Sequence, residues 1–121
     1  MAPWSLAAGW AEQRALRLLQ QQGWLLLHRN WRCRWGELDL VLAKPQRLLV
    51  VEVKGRASPG PDGGGVGALR RSKRRRLERS FQCWLAAHPS HAEARVELVA
   101  ALVCLPPQRR AVRWIRLMDW G

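Results

Sequence analysis

Acidic residues are scarce in this chain of 121 residues, and tyrosine is absent. Nine Asp and Glu stand against 21 Lys and Arg, so the net charge is +12, which is unlike the near-neutral balance of an ordinary soluble enzyme. A surface of this charge attracts polyanions, and phosphates neutralised by arginine release their counterions whatever the base sequence. The composition therefore predicts a nucleic-acid partner.

Cysteine is also rare. Cys33, Cys83 and Cys104 are odd in number, and none belongs to a CxxC pair, so their pattern indicates neither a disulfide framework nor a thiolate metal site. Cys83 and Cys104 could meet His88 and His91 around zinc, although no spacing requires it. Small buried thiols are the simpler interpretation.

Long apolar runs are missing. The best candidate, residues 96–105, is short and contains Glu97, so no membrane span is predicted. The first residues lack the basic head and apolar run of a secretory signal, which predicts a cytoplasmic protein. An apolar content of 48% in a chain of this length predicts one domain, residues 1–121, with one core. The glycine-rich loop at 57–67 is not a nucleotide P-loop, because no Gly-Lys-Ser/Thr follows it.

Hydrophobic periodicity predicts two helices and five strands. The order is α-β-β-β-α-β-β, which indicates an α/β fold with a mixed central sheet flanked by helices. The strand that ends near residue 54 has apolar side chains on both alternating faces, as expected for a central strand. The predicted helices are 6–22 and 66–87, and the predicted strands are 24–30, 35–43, 47–56, 95–105 and 111–118.

Charged side chains stand where the central strand ends. Alternation along a strand places Glu52 and Lys54 on one face. If the hairpin turn pairs Ala43 with Leu48, counting back along both strands puts Asp39 opposite Glu52 on that same face. A shift of one residue would separate them, so this alignment depends on the predicted register.

Two facing carboxylates in a half-buried sheet repel each other unless a cation or a proton lies between them. Oxygen ligands suit Mg²⁺ or Mn²⁺, so Asp39 and Glu52 are predicted metal ligands. Lys54 could then orient or deprotonate water, or stabilise charge on a phosphate. The alternative is an ordinary surface ion pair between Glu52 and Lys54, with Asp39 capping a turn.

Two further charges interrupt apolar helical stripes. Glu12 lies on the core-facing side of the first helix, and Lys73 lies in the middle of the apolar stripe of the second. Each side chain could instead extend to solvent or pair with a neighbour. Lys73 also belongs to a dense basic segment that is predicted to follow a phosphate backbone. The predicted nucleic-acid contacts are Arg56, Arg70, Arg71, Lys73, Arg74 and Arg75.

Taken together, these motifs resemble a known family. The segments 9–15, with Gly9, Glu12 and Ala15, 36–40 (GELDL) and 51–56 (VEVKGR), followed by Lys73, are similar to the YraN family of small bacterial proteins, which are predicted endonucleases. The resemblance implies a restriction-endonuclease-like fold shared with archaeal Holliday-junction resolvases. Their Asp and Glu-x-Lys core would correspond to Asp39, Glu52 and Lys54, and their early helical glutamate to Glu12. By the same analogy, a homodimer is one expected assembly.

The sequence thus leads to one main hypothesis and two alternatives. The main one is a Mg²⁺- or Mn²⁺-dependent nuclease acting on DNA phosphodiester bonds, with catalytic residues Asp39, Glu52, Lys54 and Glu12. The first alternative is a non-catalytic nucleic-acid-binding module of the same fold, which the charge alone would explain. The second is an adaptor whose basic helix docks on an acidic protein, with nucleic-acid affinity too weak to survive physiological salt.

Overall fold

A computed structural model describes residues 6–57, 71–107 and 109–120. Within them the predicted order and the α/β class are confirmed, and the arrangement is consistent with a restriction-endonuclease-like fold. The predicted start of the second helix at residue 66, and Arg70 with it, fall outside these residues. The elements are α1 (Leu6–Gln21), β1 (Leu25–Cys33), β2 (Gly36–Lys44), β3 (Arg47–Arg56), α2 (Arg71–Ala87), a 3-10 helix (Pro89–His91), β4 (Arg95–Cys104) and β5 (Arg113–Trp120).

The five strands form one sheet in the order β1-β2-β3-β4-β5. Only the β3–β4 pair is parallel, because the chain crosses over through α2 between those two strands. The predicted pairing of Ala43 with Leu48 is confirmed, and the ladder continues to Leu40 and Val51. β3 is therefore central, which explains why its apolar residues are buried on both faces.

One helix covers each face of the sheet. α1 packs Ala11, Ala15, Leu16 and Leu19 on one face, and α2 packs Leu77, Phe81 and Trp84 on the other. Trp84 is fully buried, and its Nε1 donates a hydrogen bond to His28 Nδ1 at 2.9 Å. Neither helix of the described segments is long and apolar enough to cross a bilayer.

The regular alternation of side chains breaks at the point where β1 and β2 pass Asn30 and Asp39. Leu40 belongs to the core under α1, whereas Leu38, two residues away, belongs to the core under α2. Asn30, opposite Asp39, has a left-handed backbone with φ of 55°, a conformation that asparagine tolerates better than most residues. Because the strand passes through this irregularity, the prediction that β1 ends at residue 30 is wrong, and β1 continues to Cys33.

A glycine at the end of β3 lets α1 come close to the sheet. A Cβ on Gly55 would lie 3.2 Å from Ala11 Cβ and 3.2 Å from Leu105 Cδ2. The Ala11 Cβ is fixed to the helix backbone, so it cannot move aside without the helix. This close approach brings Glu12, the next residue of α1, to the end of β3 that carries Lys54.

We expect Gly55→Val to destabilise the protein by about 1–3 kcal/mol, because the added methyl groups overpack the contact between α1 and β3. Urea unfolding followed by tryptophan fluorescence measures this change. Gly55→Ala should have a smaller effect of the same sign. Unchanged unfolding midpoints for both variants would contradict the close packing at this site.

Candidate functional site

Three carboxylates from two elements meet beside the end of β3. Glu12 of α1 and Glu37 and Asp39 of β2 each offer one oxygen, and these oxygens lie within 4.8 Å of one another. In residues 6–57, 71–107 and 109–120, this is the group of at least three His, Cys, Asp or Glu side chains that could hold a metal ion. We refer to Glu12, Glu37 and Asp39 as the acidic cluster.

Glu12 is buried, with 6% of its surface exposed, as its place in the apolar stripe of α1 predicted. Arg29 of β1 holds it, with Nε 3.2 Å from Glu12 Oε1. The same guanidinium donates to Gln13 Oε1 at 3.0 Å and to the Gly9 carbonyl at 3.3 Å. A half-buried arginine with three acceptors on one helix fixes the direction of the Glu12 carboxylate.

Asp39 lies at the irregular point of β2 and accepts a hydrogen bond from the backbone N–H of Val53 at 2.8 Å. Burial and the charge of Glu52 together raise the pKa of Asp39 to about 8, against the lowering effect of the Val53 N–H. Glu12 and Glu37 also raise this pKa. Without a compensating cation, the Asp39 carboxyl therefore carries a proton at neutral pH.

Glu52 faces the opposite helix. It is 5% exposed, and its Oε1 lies 3.0 Å from Lys73 Nζ of α2 and 3.9 Å from Lys54 Nζ. The negative charge of Glu52 also raises the pKa of Asp39. The Glu52 carboxylate thus connects the acidic cluster to two lysines.

Lys54 is a half-buried lysine that interacts electrostatically with both Glu52 and Asp39. Burial lowers its pKa, and the neighbouring ammonium of Lys73 lowers it as well, while Glu52 and Asp39 act in the opposite direction. A lysine with a lowered pKa gives up its proton more readily than a surface lysine does. Lys54 is therefore suited to accept or deliver a proton beside the carboxylates.

The predicted phosphate contacts lie on the α2 side of this centre. Arg71, Arg74 and Arg75 are exposed on α2, whereas Lys73 turns inward to Glu52. Arg56, at the end of β3, is half-buried, and its Nε has no hydrogen-bond partner among the described atoms. The exposed arginines form a basic face that continues from the two lysines.

The sequence pattern missed three residues of this centre. Glu37, two residues before Asp39 on β2, is not among the predicted ligands, and neither Arg29 nor Arg32 is among the predicted site residues. Arg32 Nε lies 3.0 Å from Glu37 Oε2, so each glutamate of the acidic cluster has its own arginine. Arginine is so frequent in this chain that a single arginine at position 29 or 32 does not indicate a functional site.

Other sequence-level candidates lie elsewhere. Glu97 pairs with Arg47 at 2.8 Å and with Arg116 at 3.5 Å, so its carboxylate is occupied by a surface ion-pair network. Cys33, Cys83 and Cys104 are free thiols. His88 stacks on Trp84, and none of the residues considered for zinc belongs to the acidic cluster.

Comparison with known proteins identifies the family. The sequence model of Uncharacterised protein family UPF0102 matches residues 11–101. A UPF0102 protein of Prochlorococcus marinus (strain MIT 9303) is 56% identical over 110 residues, which cover 91% of this chain and 87% of that protein. A UPF0102 protein of Synechococcus sp. (strain CC9902) is 53% identical over 107 residues, covering 88% of each chain.

More distant bacteria carry similar chains. A UPF0102 protein of Halorhodospira halophila (strain DSM 244 / SL1) is 41% identical over 106 residues, which cover 88% of this chain and 80% of that protein. The matched segment contains every residue of the acidic cluster together with Glu52, Lys54 and Lys73. The chain therefore belongs to the UPF0102 family, which is the YraN family that its sequence motifs resemble.

Proposed function

We propose that this protein is a Mg²⁺- or Mn²⁺-dependent nuclease that cleaves DNA phosphodiester bonds. The observation that carries the proposal is the convergence of the acidic cluster with Glu52 and two lysines on a strongly basic protein. A buried carboxyl such as Asp39, whose pKa is raised by neighbouring carboxylates, is unfavourable for stability alone. Such an arrangement is typical of sites that bind a cation or move a proton.

The donor set fits a hard divalent ion. All its ligand atoms are carboxylate oxygens, and Mg²⁺ takes one or two protein carboxylates together with waters and substrate phosphate. Asp39 belongs both to the predicted pair with Glu52 and to the acidic cluster, so we assign it as the central ligand. When bound, the cation would polarise the phosphate and lower the pKa of a water ligand.

The protein's own residues supply the remaining steps. Lys54, with its lowered pKa, orients the attacking water and takes part in its deprotonation. Lys73 holds Glu52 in the resting site and lies close enough to share the charge that develops on the phosphate. Arg29 positions Glu12 and is not itself a catalytic residue.

The basic face of α2 explains how DNA is held at this centre. Arg71, Arg74 and Arg75 are exposed and close together in sequence, where like charges repel unless an anion compensates them. A phosphate backbone supplies that anion without any requirement for base sequence. Arg56, between β3 and this face, would contact the phosphates nearest to Lys54.

The test is cleavage by the purified protein of labelled linear, single-stranded and branched DNA, in Mg²⁺ and in Mn²⁺. We expect product with at least one substrate, and none when EDTA removes the metal. Binding of the same DNA is measured in parallel by fluorescence anisotropy at several salt concentrations.

Tight binding without cleavage of any substrate in either metal would refute the nuclease assignment and favour the non-catalytic module. Weak binding that disappears at physiological salt would favour the protein adaptor instead.

A further inference from the structure

A groove on the outer side of α1 combines an exposed tryptophan with arginines. Trp10 is 40% exposed, which is unusual for so large an apolar side chain. It lines two adjoining cavities of about 340 and 470 Å³, and Arg14 also lines both of them. We call them together the Trp10 groove. Its other lining residues include Arg17, Pro106, Pro107 and Arg109.

The groove lies next to the end of β3 that carries the candidate catalytic lysine. Ala11, the neighbour of Trp10, meets Gly55, and the Leu105 N–H donates to the Arg56 carbonyl at 2.7 Å. The two prolines that line the groove follow Leu105 directly. A strand of nucleic acid could therefore pass from the acidic cluster into the groove without leaving the protein surface.

The chemistry of the groove indicates what it binds. Among the residues that the structure describes, none that lines the groove is acidic, and its arginines lie on both walls, Arg14 on α1 and Arg109 on the segment after β4. Arginine neutralises phosphate, and an exposed indole offers a face on which any unpaired base can stack. Bases inside a duplex are already stacked on each other and cannot reach such a face.

We propose that the Trp10 groove binds an unpaired segment of the DNA substrate, by stacking a base on Trp10 and pairing phosphates with Arg14 and Arg109. The inference rests on the proposed function for its DNA substrate. Binding in this groove makes the protein selective for DNA in which a single strand leaves a duplex. The single strand enters the Trp10 groove, and the basic face of α2, on the other side of the sheet, holds the duplex.

The experiment compares two labelled DNA probes in anisotropy titrations without divalent metal. One is a blunt duplex, and the other is the same duplex with a single-stranded oligothymidine tail. We expect Trp10→Ala to weaken binding of the tailed probe by about tenfold, the range of one lost base stack, and to leave binding of the blunt duplex unchanged. Trp10→Phe should retain most of the tailed affinity, because a phenyl ring still stacks.

Trp114 supplies the matched control, because it is also 40% exposed and does not line the groove. Trp114→Ala should leave both affinities unchanged. Equal loss on both probes with Trp10→Ala, or no loss on either, would overturn the proposal, as would a shift from dimer to monomer caused by Trp10→Ala in sedimentation. Because the assay needs no cleavage, a binder without nuclease activity would still show the Trp10-dependent preference.

Discussion

Lys54→Ala is expected to lower the single-turnover rate of DNA cleavage by about 10²- to 10³-fold, the loss seen when one preorganised charge-stabilising group is removed. Lys54 lies 3.9 Å from Glu52, and burial and Lys73 together lower its pKa. Both features depend on the amine at this position. Alanine removes the group that we propose orients water and accepts its proton, whereas the basic face of α2, the proposed DNA-binding surface, is untouched.

Lys44→Ala is the control for this prediction. Lys44 is also a half-buried lysine at a strand end, and its Nζ lies 4.8 Å from the ring of Trp24, away from the carboxylates. Its loss removes the same charge from the protein but should leave the cleavage rate within about twofold, because Lys44 is far from the carboxylates and distant sites act independently. DNA binding measured in Ca²⁺ should be similar for both variants. Equal rates for the two variants would contradict a catalytic role for Lys54.

Much of the centre follows from local patterns. The turn at residues 44–47 fixes the β2–β3 register, which is as predicted from Lys44 and Arg47 to Leu40 and Val51. The helical stripe places Glu12 on the core side, where the structure buries it. These predictions succeed because a period of two in strands and of 3.6 in helices determines which face a side chain takes. They require no knowledge of how the elements pack.

The composition of the acidic cluster does not follow from those periods. Uninterrupted alternation would place Glu37 and Asp39 on the face of Val41, and the break between Leu38 and Leu40 alters that arrangement. The left-handed Asn30 is part of this irregularity, and no periodic pattern predicts it. The role of Arg29 cannot be predicted without knowing how α1 packs on the sheet, because the hydrogen-bond acceptors of Arg29 lie in residues 9–13 of α1.

The packing of the helices on the sheet also determines which carboxylates have a cation as partner. Glu12 and Glu37 each have an arginine, and Glu52 has two lysines, whereas within the described residues Asp39 accepts only a neutral backbone N–H. Glu12, Glu37 and Glu52 are thus held in place by their own cations. Their negative charges act on Asp39, which is the carboxyl with the least compensation. Burial raises the pKa of Asp39 most, and these charges raise it as well, so a cation bound there would have the largest effect on that residue.

Metal affinity should therefore depend on pH through Asp39. Its pKa of about 8 means that a proton must leave before the carboxylate can bind Mn²⁺, so the apparent affinity should rise about tenfold per pH unit up to pH 8 and then level off. Between pH 6 and pH 8 the gain is about 50-fold, because half of the Asp39 carboxyls are still protonated at pH 8. Calorimetric titration of Mn²⁺ in two buffers of different ionisation enthalpy measures both the affinity and the released proton.

Asp39→Asn tests the origin of this dependence, because an amide binds without losing a proton. We expect weaker Mn²⁺ binding with little slope between pH 6 and pH 8, whereas Glu37→Gln should weaken binding and keep the slope. In the metal-free protein, the raised pKa of Asp39 contributes to the free energy of unfolding. This contribution is complete below about pH 4 and is lost as the pH rises through about 8. Asp39→Asn should remove that loss, so its thermal midpoint should exceed that of the unsubstituted protein at pH 8 and approach it at pH 4. An unchanged slope of Mn²⁺ affinity in Asp39→Asn would assign the proton to another group and remove Asp39 from the centre of the site.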